Sequence, residues 1–177
     1  MNDQSIRSVE AAEVSPGTTL SAALLALNNA HAQELSWLEP ERLQHLVCES
    51  FYARRIGDLD AFLIAFDQDA RYDSPNFLWF RQHYPRFVYV DRIVTAASAR
   101  GRGYARKLYE DLFARAVNGG HLHVVCEVNS SPPNPESDAF HEALGFTEVG
   151  SAAIHGGAKT VRYLAHAFLA VIVNRPH

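Results

Sequence analysis

Arg100, Arg102, Arg106 and Lys107 crowd around two glycines, Gly101 and Gly103, in the stretch ARGRGYARKLY that opens at Ala99. Glycines so placed let successive backbone N–H groups face one way. The apolar repeat of Ala105, Leu108, Leu112 and Ala116 predicts a helix over 103–118. A helix start supplies unpaired N–H donors and the positive end of a dipole, so the chemistry this stretch suits is the holding of a phosphate. Two familiar phosphate patterns are excluded. A Walker loop needs Lys-Ser or Lys-Thr after its second glycine, and the dinucleotide fingerprint needs a third glycine where this chain has Arg106. What remains is a strand, an Arg100-x-x-Gly103-x-Ala105 arc and a helix. Arg106 and Lys107 could reach a further phosphate, but each also stands at ion-pair spacing from Glu110 and Asp111 respectively.

Carboxylates interrupt two otherwise apolar runs: Glu127 in HLHVVCEV and Asp91 in VYVDRIV. Buried without a partner, either would be costly. Glu127 could instead sit on an exposed face, and Asp91 could pair with Arg92. His121 and His123 share one face of a strand while Cys126 falls on the other, so no metal site is expected. Cys48 and Cys126 are the only cysteines and form no CxxC pair, which argues against a disulfide scaffold or a zinc ribbon.

These residues need elements to position them. The chain of 177 residues is read as one domain, 1–177. Lysines and arginines number 16 against 20 acidic residues, a net charge of −4, so no nucleic-acid partner is expected. The start, MNDQSIRSVE, lacks the basic and apolar blocks of a signal peptide. The apolar tail from Tyr163 to Val173 is shorter than the ~20 residues of a spanning helix, so neither a membrane partner nor an export route is expected. A cytoplasmic location follows as the expectation.

Strands are predicted over 5–13, in FYARRI and LDAFLIAF around a two-residue Gly57-Asp58 link, in FVYVDRIVTA, in HLHVVCEV, and in FTEVGSAAI and KTVRYLAHAF around Gly156-Gly157. Helices are predicted after a Thr18 or Thr19 cap, from Glu39-Pro40-Glu41, over 103–118 and over 135–144, ending at Gly145. Residues 67–86 look too polar and too punctuated by proline for a strand and read as a long aromatic-rich loop. The pattern gives an α/β (α+β) sandwich with a mixed sheet.

Strand, Arg100-x-x-Gly103-x-Ala105 and helix together resemble the acetyl-CoA-binding motif of the GNAT superfamily of N-acetyltransferases. A second signature follows in NPESDAFHEALGF, where Asn134, Phe140, His141, Gly145 and Phe146 are in register with that family's pattern. The order of elements is similar from about residue 5 to 168. Two departures stand out: Thr95 and Ala97 replace a Val-x-Pro before the arginine, and His141 occupies the position that often carries a catalytic tyrosine.

The resemblance implies a mostly antiparallel central sheet flanked by helices and splayed between its fourth and fifth strands, with acetyl-CoA completing the gap. Backbone groups of Ile93, Val94 and Thr95 would pair with the pantetheine arm, one N–H reaching the thioester oxygen. Those of Arg100, Gly101, Arg102, Gly103, Tyr104, Ala105 and Arg106 would hold the diphosphate, and Asn134 and Ser137 would bond the arm. The implied reaction is direct acetyl transfer to a primary amine of a small molecule, with acylation of a protein amine and acyl-CoA sensing without catalysis as alternatives. His141 is the first candidate to protonate the thiolate, against a packing role beside Phe140, and Tyr163 is the reserve. Glu127 is the first candidate base, ahead of Asp91, Glu49 and Asn129. Phe77, Trp79, Phe80 and Tyr84 are the candidate acceptor wall, against a role as core under the loop. A homodimer is compatible with the sequence.

Overall fold

The computed structural model describes residues 4–169. The first residues of the chain and the end of the apolar tail, from residue 170, lie outside that range. Seven strands form one sheet: β1 (Ile6–Ser8), β2 (Tyr52–Ile56), β3 (Ala61–Asp67), β4 (Phe87–Thr95), β5 (His123–Ser131), β6 (Thr147–Ile154) and β7 (Lys159–Ala167). Their order is β1-β2-β3-β4-β5-β7-β6, and every neighbouring pair is antiparallel except β4–β5. The fold is therefore the mixed α/β sheet that the sequence pattern gives, mostly antiparallel as the resemblance implies.

Both faces of the sheet are covered. Along β3, Phe62, Ile64 and Phe66 turn to one apolar core and Ala61, Leu63 and Ala65 to the other, which is why its sequence runs apolar without alternation. Helices α1 (Thr19–Asn29), α2 (Pro40–Glu49) and α3 (Pro75–His83) cover the first face through Leu24, Leu43, Leu46, Phe77 and Phe80. Helix α4 (Tyr104–Asn118) covers the second through Leu108, Tyr109, Leu112 and Ala116, and α5 (Pro135–Ala143) joins it there through Phe140. The Thr18 side chain accepts the Ser21 N–H and caps α1, as the sequence predicts. No helix among the described residues is long and apolar enough to cross a membrane.

Three expectations need correction. The strand expected over 5–13 is only Ile6–Ser8, because a reciprocal Glu10–Glu13 capping box turns Ala11–Val14 into a 3-10 helix. The β2–β3 link closes at Ile56 and Ala61 and so spans four residues, 57–60, with the Asp60 N–H donating to the Ile56 carbonyl. The supposed aromatic loop over 67–86 contains α3. Pro75, read as a breaker, stands in the first turn, where its missing N–H costs nothing and its fixed φ favours the helix.

Two local features prepare the site. The β4–β5 ladder runs only from Phe87–His123 to Tyr89–Val125, and beyond it the two strands part. On the other edge of β4, Val90 pairs with Ala65 and Arg92 with Ile64, so Asp91 is an extra, bulged residue. The bulge sends both Asp91 and Arg92 to the α1–α3 face, where they bond Tyr72 and Asn28 respectively.

Candidate active site

The parted strands open into a cavity of about 670 Å³. Val90–Thr95 of β4 and Cys126–Asn129 of β5 form its sides, and the start of α4 and α5 closes one end. Since side chains alternate along β5, Cys126 and Val128 belong to the α4–α5 face while Glu127 bonds groups on the other. The split thus admits one molecule to both faces of the sheet.

At the α4 end, Gly101 has φ 75° and Gly103 φ 76°. A Cβ at either would meet nothing within 4 Å, so the glycines are required by backbone conformation and not by want of space. Gly103 is the N-cap of α4, and the Lys107 N–H makes the bond to its carbonyl at 3.0 Å. The amides of Gly103, Tyr104, Ala105 and Arg106 therefore precede the helical ladder, at the positive end of its dipole. Arg100, Gly101, Gly103, Tyr104, Ala105 and Arg106 line the cavity, whereas exposed Arg102 does not. Lys107 is turned away and bonds the Gln4 carbonyl. The buried Tyr104 hydroxyl has no protein partner.

Glu127 lies at the opposite end. Its Oε1 accepts from Asn76 Nδ2 at 2.9 Å and from the Tyr89 hydroxyl at 3.0 Å. Its Oε2 is shielded from water and has no partner. Burial pushes this carboxyl up to about 7, the Tyr89 bond opposes that rise, the Asp91 charge adds to it, and the Asn76 bond opposes it. Asp91 also lines the cavity, but its oxygens already take the Tyr72 hydroxyl and the Arg92 Nε. Asn129 lines the wall, while Glu49 is bound to Arg71 away from it.

His141 is buried and lines the cavity on the α4–α5 side. Its Nδ1 is 2.7 Å from the Ser137 carbonyl and its Nε2 is 2.9 Å from the Tyr109 hydroxyl. Burial lowers its pKa, partly offset by the Ser137 carbonyl and Asp138. Asn134 Oδ1 accepts the Ser137 N–H and caps α5, and both residues line the cavity.

Tyr163 is not on the cavity wall. It is 1% exposed, stacked on Trp79, and donates to Asn76 Oδ1 at 3.0 Å, one residue behind Glu127. Phe77, Trp79, Phe80 and Tyr84 are likewise absent from the wall: Phe77 and Phe80 are fully buried, and Trp79 is packed between His83 and Tyr163. The cavity is lined instead by His31, Glu34 and Leu35 and by Ile154, Lys159 and Val161, beside the β4, β5, α4 and α5 residues named above. His121 and His123 lie outside it, against Phe51 and Tyr84. Sequence reasoning missed Asn76, Tyr89 and Tyr109. Asn76 follows the Pro75 that was read as a breaker, and the other two stand in runs that read as ordinary core.

The fold recurs in solved structures. The ribosomal-protein-S18-alanine N-acetyltransferase of Escherichia coli is 17% identical over 100% of both chains, with a TM-score of 0.67. Naa20 of Chaetomium thermophilum, solved with a bisubstrate analogue, is 17% identical over 92% of this chain and 86% of its own, with a TM-score of 0.67. Salmonella typhimurium yncA, solved with acetyl-CoA as its cofactor, is 16% identical over 93% of each chain, with a TM-score of 0.66. None of the curated proteins matches the chain in sequence. Residues 27–146 match the model of the acetyltransferase (GNAT) family, and with the parted β4–β5 pair at the centre of the fold the chain belongs to that family.

Proposed function

We propose that the protein transfers the acetyl group of acetyl-CoA to a primary amine, with Glu127 as the general base. The observation that carries this reading is a single cavity with an amide-rich helix start at one end and a shielded, half-satisfied carboxylate at the other. The donor set fits acetyl-CoA: amides at a dipole end suit a diphosphate, and the unpaired β4 edge suits an amide-bearing arm. Acetyl-CoA supplies an activated acetyl thioester when bound.

Backbone groups of Ile93, Val94 and Thr95 hold the arm in this reading, and an N–H there stabilises charge on the thioester oxygen. The segment from Arg100 to Arg106 holds the diphosphate through its backbone, with Arg100 and Arg106 adding charge. Asn134 and Ser137 border the arm. An amine attacks only when neutral. Glu127, with a pKa of about 7, is substantially ionised at neutral pH and can take the ammonium proton on Oε2. Asn76 and Tyr89 keep Oε1 fixed while it does so.

A small-molecule amine was expected to rest on the aromatic wall, and those rings lie in the core. That placement, with the names of neighbours such as the ribosomal-protein-alanine N-acetyltransferases, supports the amino terminus of a peptide as a second acceptor class. The test is thiol release from acetyl-CoA over a panel of small amines and short peptides with free or blocked termini. Release with free amines and none with blocked ones is expected. CoA binding without amine-dependent release would instead indicate a sensor.

A further inference from the structure

His141 holds the position where a proton donor was expected, yet in its neutral form the hydrogen bonds leave it no proton to give the thiolate directly. A backbone carbonyl only accepts, so the 2.7 Å contact with the Ser137 carbonyl places the ring proton on Nδ1. The neutral ring then has its lone pair on Nε2, and that atom accepts from the Tyr109 hydroxyl at 2.9 Å. Both nitrogens are engaged. The polar group that His141 addresses is the hydroxyl of Tyr109, a buried residue that borders the cavity beside Cys126.

We propose that Tyr109 is the catalytic proton donor to the departing thiolate, and that His141 acts through it by supplying the replacement proton. The inference rests on the acetyl transfer proposed above. In the charged form, Nε2–H donates to the Tyr109 oxygen and frees the phenolic hydrogen to face the cavity. The phenolic O–H and the Nε2–H bonds then break as an S–H bond and a new O–H bond form. An imidazolium and a thiolate become two neutral groups, and the arrangement left is the one in the structure. A hydronium ion from water restores the imidazolium before the next turnover.

The surroundings suit a transient cation. Asp138 of α5 favours the charged ring, burial opposes it, and the net effect is a lowered pKa, so the proton is readily given up. On the β5 side Cys126 faces Tyr109, the Glu127 charge acts from the other face of the sheet, and burial, more than these two, holds the phenol well above its ordinary value. Tyr109 alone would be a reluctant acid. The imidazolium behind it compensates, because no phenolate has to form.

The test has an arm without acetyl-CoA. NMR of the histidine ring nitrogens near neutral pH should show His141 as the Nδ1–H tautomer. Tyr109→Phe should lower its pKa further, since the buried cation loses the acceptor of its Nε2–H. In the kinetic arm, Tyr109→Phe, His141→Gln and the double variant should each lose ~10²-fold in turnover with CoA affinity held, because groups acting as a unit are not additive. Glutamine can hold the phenol but cannot relay a proton, so wild-type turnover in His141→Gln would overturn the proposal. Wild-type turnover in Tyr109→Phe, or an Nε2–H tautomer, would overturn it equally. If no amine is acetylated by the wild-type protein, the proposed function fails, while the tautomer and the Tyr109→Phe shift still decide the pairing.

Discussion

Glu127 combines two demands that ordinarily conflict: a carboxylate kept from water and one that ionises near neutral pH. Its two donors, Asn76 and Tyr89, converge on Oε1 and leave Oε2 bare. A folded-state pKa of about 7 lies above the ordinary carboxylate value, so the native protein retains a proton that the unfolded chain has lost. The stability of the protonated form is therefore fully present below the ordinary carboxylate range and lost as pH rises through about 7. Glu127→Gln removes that loss. The variant is expected to melt higher than wild type at mildly alkaline pH by the equivalent of roughly 3 kcal/mol, with the difference shrinking toward pH 5. Thermal melts of both proteins across pH check it, and a constant difference would contradict the raised pKa. The carboxylate itself was legible as a charge in an apolar strand. Its partners were not, because Asn76 and Tyr89 reach it from α3 and β4, and no local pattern records a contact between elements. The same holds for Tyr109, whose role depends on His141 on another helix.

At the scale of elements, the most legible unit is the arc into α4. Its glycines adopt the left-handed conformation, and the helix begins at Tyr104 as the apolar repeat requires. Gly103→Val would force a β-branched residue into a conformation costing about 1–2 kcal/mol, so the arc should re-form with its amides misdirected. CoA affinity is expected to fall at least about tenfold, by the free energy of that strain, while the circular dichroism spectrum stays native. Calorimetry decides this, and wild-type affinity in a folded variant would remove the phosphate reading. The least legible unit was α3. Its aromatics were read as a pocket wall because proline suggested a loop, whereas the apolar Phe77 and Phe80 face the sheet. Trp79 extends the same packing: a Cβ on Gly150 of β6 would come within 2.7 Å of its ring, so the glycine makes room for the stack on Tyr163. The bulge at Asp91 was also beyond reach, since register between strands is set by pairing and not by one strand's composition.

For the whole molecule, a net charge of −4 coexists with arginines gathered at the α4 arc, which favours a compact anion over a polyanion. A ligand that binds only the native state stabilises it by about 2.7 kcal/mol at one hundred times its Kd. CoA and acetyl-CoA should therefore raise the melting temperature clearly, and ATP or NAD much less; a larger shift with NAD would point to another ligand class. The two ends of the cavity are joined because β4 and β5 part after Tyr89 and Val125, so the proposed cosubstrate site and the proposed base share one opening in the sheet. The measurement that tests this account most directly is the rate of amine-dependent thiol release from acetyl-CoA, compared between wild type and Glu127→Gln from mildly acidic to alkaline pH. The wild-type rate should climb with pH as Glu127 ionises toward about 7 and fall again where His141 no longer takes up the proton it relays. The variant should lose roughly 10²-fold or more at neutral pH, the scale of a missing general base, with CoA affinity unchanged. Wild-type turnover in Glu127→Gln would contradict the account.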